Sequence, residues 1–265
     1  MDEYLKTNLG LWNNWARINQ KSAFYDVASF KAGESSLTSI EIEELGDVAG
    51  KSLLHLQCHF GMDTLSWARR GARVTGVDFS EEAIALARSL SKELGLDAQF
   101  ICSDIYELPR SLSEEYDIVF TSYGVLSWLP DLARWGQTIA RSLKPGGTFY
   151  IIEFHPVVLM LDDEEGKTIK YPYFATAEPL KFEESGSYAD RDADFSHPCY
   201  QWMYSLSDVM TSLISAGLRI ESFKEYPFSS HGCFSFLEKG EDGFWRMKED
   251  RPALPIMFSI KAGTV

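Results

Sequence analysis

The chain has 265 residues, 45% hydrophobic and 24% charged, a composition that makes one large globular domain or two small ones. Acids outnumber bases 39 to 25, for a net charge of −14. That balance excludes a nonspecific DNA or RNA binder and a protein docked on anionic lipid, since both need a basic footprint.

No apolar run approaches the roughly 18 residues of a membrane span. The opening Met-Asp-Glu-Tyr has neither the basic nor the apolar region of a secretory signal. The four cysteines, Cys58, Cys102, Cys199 and Cys233, form no CxxC pair, and Cys58 and Cys102 fall in apolar runs. Reduced, buried thiols in a cytoplasmic protein are expected. No His/Cys/Asp set has metal-ligand spacing, so no metal is expected.

Residues 1–47 read as helices, an N-terminal cap. Leu11, Trp12, Trp15 and Ile18 share one face, an apolar stretch follows from Ala23 to Phe30, and Ser36 to Leu45 is a third short helix. From Lys51 the pattern alternates strand and helix. Ser52 to Gln57 is the first strand, and a helix follows over Asp63 to Arg70. Arg73 to Asp78 is the second strand. Ser80 caps a helix with Glu81 and Glu82 in its first turn and Gly95 at its end. Ala98 to Cys102 and Tyr116 to Thr121 are the third and fourth strands. A helix burying Leu132, Trp135, Ile139 and Leu143 is stopped by Lys144-Pro-Gly-Gly147, and Thr148 to Phe154 is the fifth strand. Strands spaced by amphipathic helices predict a parallel α/β sheet with right-handed crossovers. Ligands of such sheets bind at the carboxyl ends of the strands, here the loops after Gln57, Asp78, Cys102 and Thr121.

Residues 156–200 interrupt the alternation with ten acids, four bases and seven aromatic residues. This reads as an ordered insertion with short antiparallel strands, lying over the binding edge. Residues 201–265 complete the sheet. Ser205 and Asp208 have capping-box spacing before a helix that ends at Gly217. A strand runs from Arg219 to Tyr226 and a last one from Pro255 to Lys261, with a long loop between them.

The first chemical candidate is the loop His55-Leu-Gln57-Cys58-His59-Phe-Gly61. A strand-to-helix turn presents backbone N–H groups and a helix N-terminus to an anionic ligand group. Gly61 would permit close backbone approach, or is only a tight-turn glycine. Asp78, at the end of the second strand, can accept two ribose hydroxyls, or else caps the next helix. Asp104 follows the third strand in Cys102-Ser-Asp-Ile105 and offers an acceptor to an adenine edge, or is a turn acid.

Taken together, the glycine loop, the strand-end Asp78, Ser103-Asp104, the Tyr116-Asp-Ile-Val strand and Leu143-Lys-Pro-Gly-Gly147 resemble class I S-adenosylmethionine-dependent methyltransferases. The resemblance spans residues 50–155 and, more weakly, 205–262, within the broad type 11 group. It implies a Rossmann-like, seven-stranded, mostly parallel sheet with the last strand antiparallel, in a single domain. It further implies an S-adenosyl-L-methionine site: Asp78 on the ribose, Phe79 beside the adenine, and Asp104 with Ser103 and Ile105 on the adenine amino group. Ser122, Tyr123 and Gly124 would pass the methionine end, as would Gln57, Cys58, His59 and Gly61. One departure stands out. The family's first loop usually reads acid-x-Gly-x-Gly-x-Gly, and here those positions hold His55, Gln57, His59 and Gly61.

Methyl transfer from a sulfonium is an in-line displacement, so positioning and water exclusion are the protein's main tasks. A base is needed only for a protonated nucleophile, and His155, His59 and Tyr123 are the candidates. The expected substrate is a small molecule walled by Trp12, Trp15, Tyr25, Trp128, His155 and Trp202, unless the tryptophans only pack helices onto the sheet. Two rivals remain: a cofactor-binding module without methyl transfer, and an NAD-dependent oxidoreductase, which would want a GxGxxG loop. A monomer or homodimer is expected.

Overall fold

A computed structural model describes residues 2–108, 115–248 and 251–264. Three helices precede the sheet: α1 (Glu3–Asn19), α2 (Val27–Ala32) and α3 (Ser39–Leu45). Asp2 starts α1 by accepting the Leu5 N–H at 2.8 Å. The alternating region folds as β1 (Ser52–Leu56), α4 (Met62–Arg69), β2 (Arg73–Asp78), α5 (Glu81–Leu94), β3 (Ala98–Cys102), β4 (Tyr116–Ser122), α6 (Leu132–Ser142) and β5 (Leu143–Phe154). Ser80 caps α5 through the Ala83 N–H, and Gly95 ends it at φ 63°, a left-handed stop that costs glycine little.

After β5 come α7 (Pro156–Leu159), the hairpin β6 (Leu180–Ser185) and β7 (Ser196–Gln201), and α8 (Leu206–Ser215). Then follow β8 (Arg219–Tyr226), β9 (Leu237–Lys239), β10 (Trp245–Met247) and β11 (Met257–Gly263). The Ser205/Asp208 capping box forms as its spacing predicts.

The central sheet runs β3-β2-β1-β4-β5-β11-β8, with β1 to β5 parallel and β11 antiparallel to both of its neighbours. The expected seven-stranded sheet with an antiparallel last strand is therefore present. Alternate residues of each strand serve opposite faces. Leu54, Leu56, Val119, Phe149 and Ile151 pack with α6 and α8, while Leu53, Ile118, Phe120, Tyr150 and Ile152 pack with α3 and α4. Strand order reverses between β1 and β4, which leaves a crevice at their carboxyl ends.

Three details differ from the sequence reading. Lys144-Pro-Gly-Gly147 does not merely stop α6: β5 already begins at Leu143 and takes up the four residues as an irregularity opposite Tyr116–Ile118. The long loop before β11 contains the ribbon β9–β10, too short to give a period-two pattern. Cys102 is exposed rather than buried, because it ends β3, the edge strand of the sheet. No helix of the described residues is long and apolar enough to cross a membrane.

The insertion docks on the N-terminal cap. Asn8 of α1 pairs with both backbone groups of Tyr200 in β7, at 2.7 and 2.8 Å, as a neighbouring strand would. Trp15 Nε1 donates to Gly186 O at 2.8 Å, in the turn of the hairpin. All three bonds are buried or half-buried, so hairpin and helix form one cover.

Candidate active site

A cavity of about 1050 Å³ opens at the carboxyl edge of β1, β2, β4 and β5, roofed by α1 and the β6–β7 segment. Such a volume suits a cofactor together with a second small molecule. The first loop forms its floor. Gln57 and His59 lie in the left-handed region at φ 56° and 51°, and Gly61 at φ 83°. Side chains thus occupy two backbone positions that glycine would hold without strain, each costing about 1–2 kcal/mol. Gly61 owes its identity to packing: a Cβ there would stand 2.7 Å from the Phe100 ring and 3.0 Å from Ala87 Cβ. Its missing side chain therefore makes room for the core of α5 and β3.

Two strand-end acids organise the loops. Asp78, 7% exposed, accepts the His59 N–H at 2.8 Å and the Ser80 N–H at 2.9 Å. Burial pushes its carboxyl up to about 6 against those two donors. Glu153, at the end of β5, accepts four backbone N–H groups, from Gly124, Val125, Leu126 and Phe154, at 2.5 to 3.1 Å. It holds the turn after β4, while burial still raises its carboxyl. Asp104 accepts the Tyr106 N–H at 2.9 Å and faces the cavity beside Ile105 and Phe79.

The two histidines of the first loop, His55 and His59, are neutral. Burial pushes His55 and His59 down to about 3. His55 Nδ1 sits 2.8 Å from Thr64 Oγ1, which makes it a hydrogen-bonded residue of β1. His59 Nε2 lies 3.3 Å from the Asn19 amide, and its ring meets Trp12, Tyr25 and Phe60. Tyr123 donates to Glu41 at 2.9 Å, and burial raises its phenol well above the ordinary range.

Of the residues singled out from sequence, Gln57, Cys58, His59, Gly61, Asp78, Phe79, Asp104, Ile105, Ser122, Tyr123 and Gly124 all line the cavity. So do Tyr25 and the three tryptophans Trp12, Trp15 and Trp128, whose indoles also pack edge to face, with ring centroids 5.2 Å apart for Trp12–Trp128 and 5.3 Å for Trp12–Trp15. Three residues lie elsewhere. Ser103 turns its hydroxyl to the Asp104 carbonyl. Trp202 stands against Tyr4, and its backbone bonds Ser127 O. His155 caps α7 through the Val157 N–H at 3.1 Å and has Nε2 3.0 Å from Glu225 of β8, so the chain turns it away from the cavity.

The sequence reading missed Asp63, Glu153, Tyr188 and His231, which all line the cavity. Asp63 in a first helical turn and Glu153 inside an apolar strand are visible signals. Tyr188 and His231 sit in irregular segments with no pattern to mark them. The Tyr188 and Tyr25 hydroxyls bond each other across the roof.

Residues 54–151 match the family model for a methyltransferase domain. A ubiquinone biosynthesis O-methyltransferase of Aeromonas salmonicida is 34% identical over 109 residues, 41% of this chain and 45% of that protein. The chain thus spans less than half the length of this curated relative. Among solved structures, an S-adenosylmethionine-dependent methyltransferase of Mesorhizobium loti superposes with a TM-score of 0.58 at 19% identity, covering 88% of this chain and 99% of that one. One from Clostridium acetobutylicum gives 0.60 at 15% identity, with 96% and 99% covered. These structures share the fold. The matched stretch, residues 54–151, carries most of β1, all of β2 to β4, most of β5 and the crevice between β1 and β4, so the similarity to a methyltransferase domain falls on the part of the chain that forms the floor of the cavity.

Proposed function

We propose that the protein transfers a methyl group from S-adenosylmethionine to a small-molecule nucleophile. The observation that carries this reading is the pairing of two strand-end acids, Asp78 and Asp104, on one cavity wall at the carboxyl edge of the sheet. The residues fit the cofactor. Asp78 has a carboxylate lining the cavity for the ribose hydroxyls, and Asp104 with Ile105 and Phe79 forms an adenine wall. Gln57 Oε1 is buried without a partner at the floor, an acceptor for the methionine end.

The bound cofactor supplies an activated methyl group on a positively charged sulfur. The chain's own work is orientation and exclusion of water. Glu153 fixes the turn at Gly124–Leu126, beside the expected path of the methionine end. Trp12, Trp15, Trp128 and the Tyr25–Tyr188 pair close the roof. Among the described residues, the cavity wall carries nine carboxylates and one guanidinium, that of Arg191. This balance favours a neutral or cationic acceptor molecule over an anionic one. Burial lowers both His59 and His231 and keeps their rings neutral, and Tyr123 retains its proton while donating a hydrogen bond to Glu41.

Calorimetry with S-adenosylmethionine, S-adenosylhomocysteine and NAD tests the proposal, followed by turnover on a panel of amines, phenols, quinols and thiols. Binding of the first two with methylation of a panel member is the expected result. Cofactor binding without turnover on any acceptor would mark a binding module. Binding of NAD alone would remove the reading.

A further inference from the structure

Four carboxylates cluster at or just behind the crevice, and three have a structural explanation. Asp78 holds two backbone N–H groups, Glu153 holds four, and buried Glu41 holds the Thr38 and Tyr123 hydroxyls. Asp63 is different. It sits in the first turn of α4 and lines the cavity, and it has only the hydroxyls of Ser36 and Ser122, the latter at 3.1 Å. Among the described residues no lysine or arginine pairs with it. A carboxylate enclosed this way needs a cation or strong donors to offset its desolvation.

Its surroundings narrow what the partner is. Ser122 ends β4, and the same hydroxyl lies 3.5 Å from His55 Nε2 on β1, so Asp63 stands over the point where the strand order reverses. On the adjoining loop, Gln57 Oε1 and His59 Nδ1 are buried and unpartnered. Gln57 has its amide nitrogen on Val125 O at 3.1 Å, which leaves its oxygen as a free acceptor. With His59 Nε2 facing the Asn19 amide nitrogen, the proton of the neutral ring falls on Nδ1, a free donor. One carboxylate, one amide acceptor and one ring donor are complementary to an α-ammonium and an α-carboxylate on one ligand.

We infer that Asp63 binds the α-ammonium of the amino-acid end of the cofactor, with Gln57 and His59 completing a zwitterion site. The inference rests on the S-adenosylmethionine reading and adds to it a charge partner that comes from α4, the helix that follows β1. His55, at the end of β1, is a neutral hydrogen-bonded imidazole and supplies no anion there.

The test is calorimetry on the full chain with three ligands: S-adenosylmethionine, S-adenosylhomocysteine and 5′-methylthioadenosine, which keeps the nucleoside and lacks the amino-acid end. Asp63→Asn and Asp63→Ala should each weaken the first two by about tenfold or more, the scale of a hydrogen bond to a charged group, and change 5′-methylthioadenosine less than about twofold. Equal weakening of all three ligands would make Asp63 a structural residue and overturn the inference, as would unchanged affinities. The wild-type protein separates the two levels. If it binds none of the three, the cofactor reading falls and the inference falls with it.

Discussion

The Asp78 carboxylate accepts the backbone N–H of His59 at 2.8 Å, tying the end of β2 to the loop that follows β1. The left-handed φ of 51° at His59 is part of the loop path that brings this N–H to the acid. A charge-assisted bond of about 1.5–3 kcal/mol offsets a strain of about 1–2 kcal/mol at that residue. The same carboxylate holds the start of α5 through Ser80, so one side chain positions both loops that face the nucleoside wall.

Asp78→Ala should therefore weaken S-adenosylmethionine binding by roughly 1.5–3 kcal/mol and lower the melting temperature, since two N–H groups lose their acceptor. Calorimetry and thermal unfolding measure the two effects. An affinity equal to wild type would remove the ribose role and leave Asp78 as a loop clamp.

Asp78 also sets a pH dependence. Its carboxyl is raised from 3.8 to about 6 by burial, so the protonated form is favoured in the folded chain. That stabilisation is complete below the unfolded value and is lost as pH rises through about 6, a change of about 3 kcal/mol. Glu41, Asp63 and Glu153 are raised by burial too and act in the same direction. Ligand affinity should move oppositely, because ribose hydroxyls donate to the ionised acid. Titrations between about pH 5 and 7.5 should show affinity rising while stability falls. In Asp78→Asn the rise in affinity should flatten, and an undiminished rise would assign it to another group.

Gly61→Ala should destabilise the fold by roughly 2–4 kcal/mol, from the positive φ and the collision with Phe100 together. Gly95→Ala is the control: φ is 63° there, but nothing lies within 4 Å of the added Cβ, so only the strain of about 1 kcal/mol is expected. Urea unfolding of both variants decides. Equal losses would show that Phe100 yields to the new methyl group.

His155→Ala should cost roughly 0.5–2 kcal/mol of stability through the lost cap of α7 and leave cofactor affinity unchanged. A large drop in affinity with stability intact would return His155 to the ligand site.

Asn8→Ala removes both side-chain bonds to Tyr200. Protease should then cut the turn between β6 and β7 faster than in the wild type, and cofactor with substrate should slow the cut. Cleavage at wild-type rates would mean that Trp15 and the aromatic packing hold the cover unaided.

Much of this protein was legible in the chain itself. The period of apolar residues placed β2, β3 and β8 at their observed bounds and β1 and β4 to within one residue, because alternation and capping are local properties of neighbouring residues. Asp78 and Asp104 could be singled out because a strand end dictates where the next side chain emerges. The departure of His55, Gln57 and His59 from a glycine-rich loop was equally plain as letters. What those letters do required the tertiary structure. Only packing shows that Gln57 and His59 keep a left-handed path, that Gly61 makes room for Phe100, and that Asp63 comes to stand where β1 and β4 diverge. The same holds for His155, which lies at the end of a strand like the site acids yet faces Glu225, because β11 and β8 extend the sheet on that side. Orientation about a strand end and contacts between distant segments depend on sheet order and chain reversal, and no local periodicity encodes either.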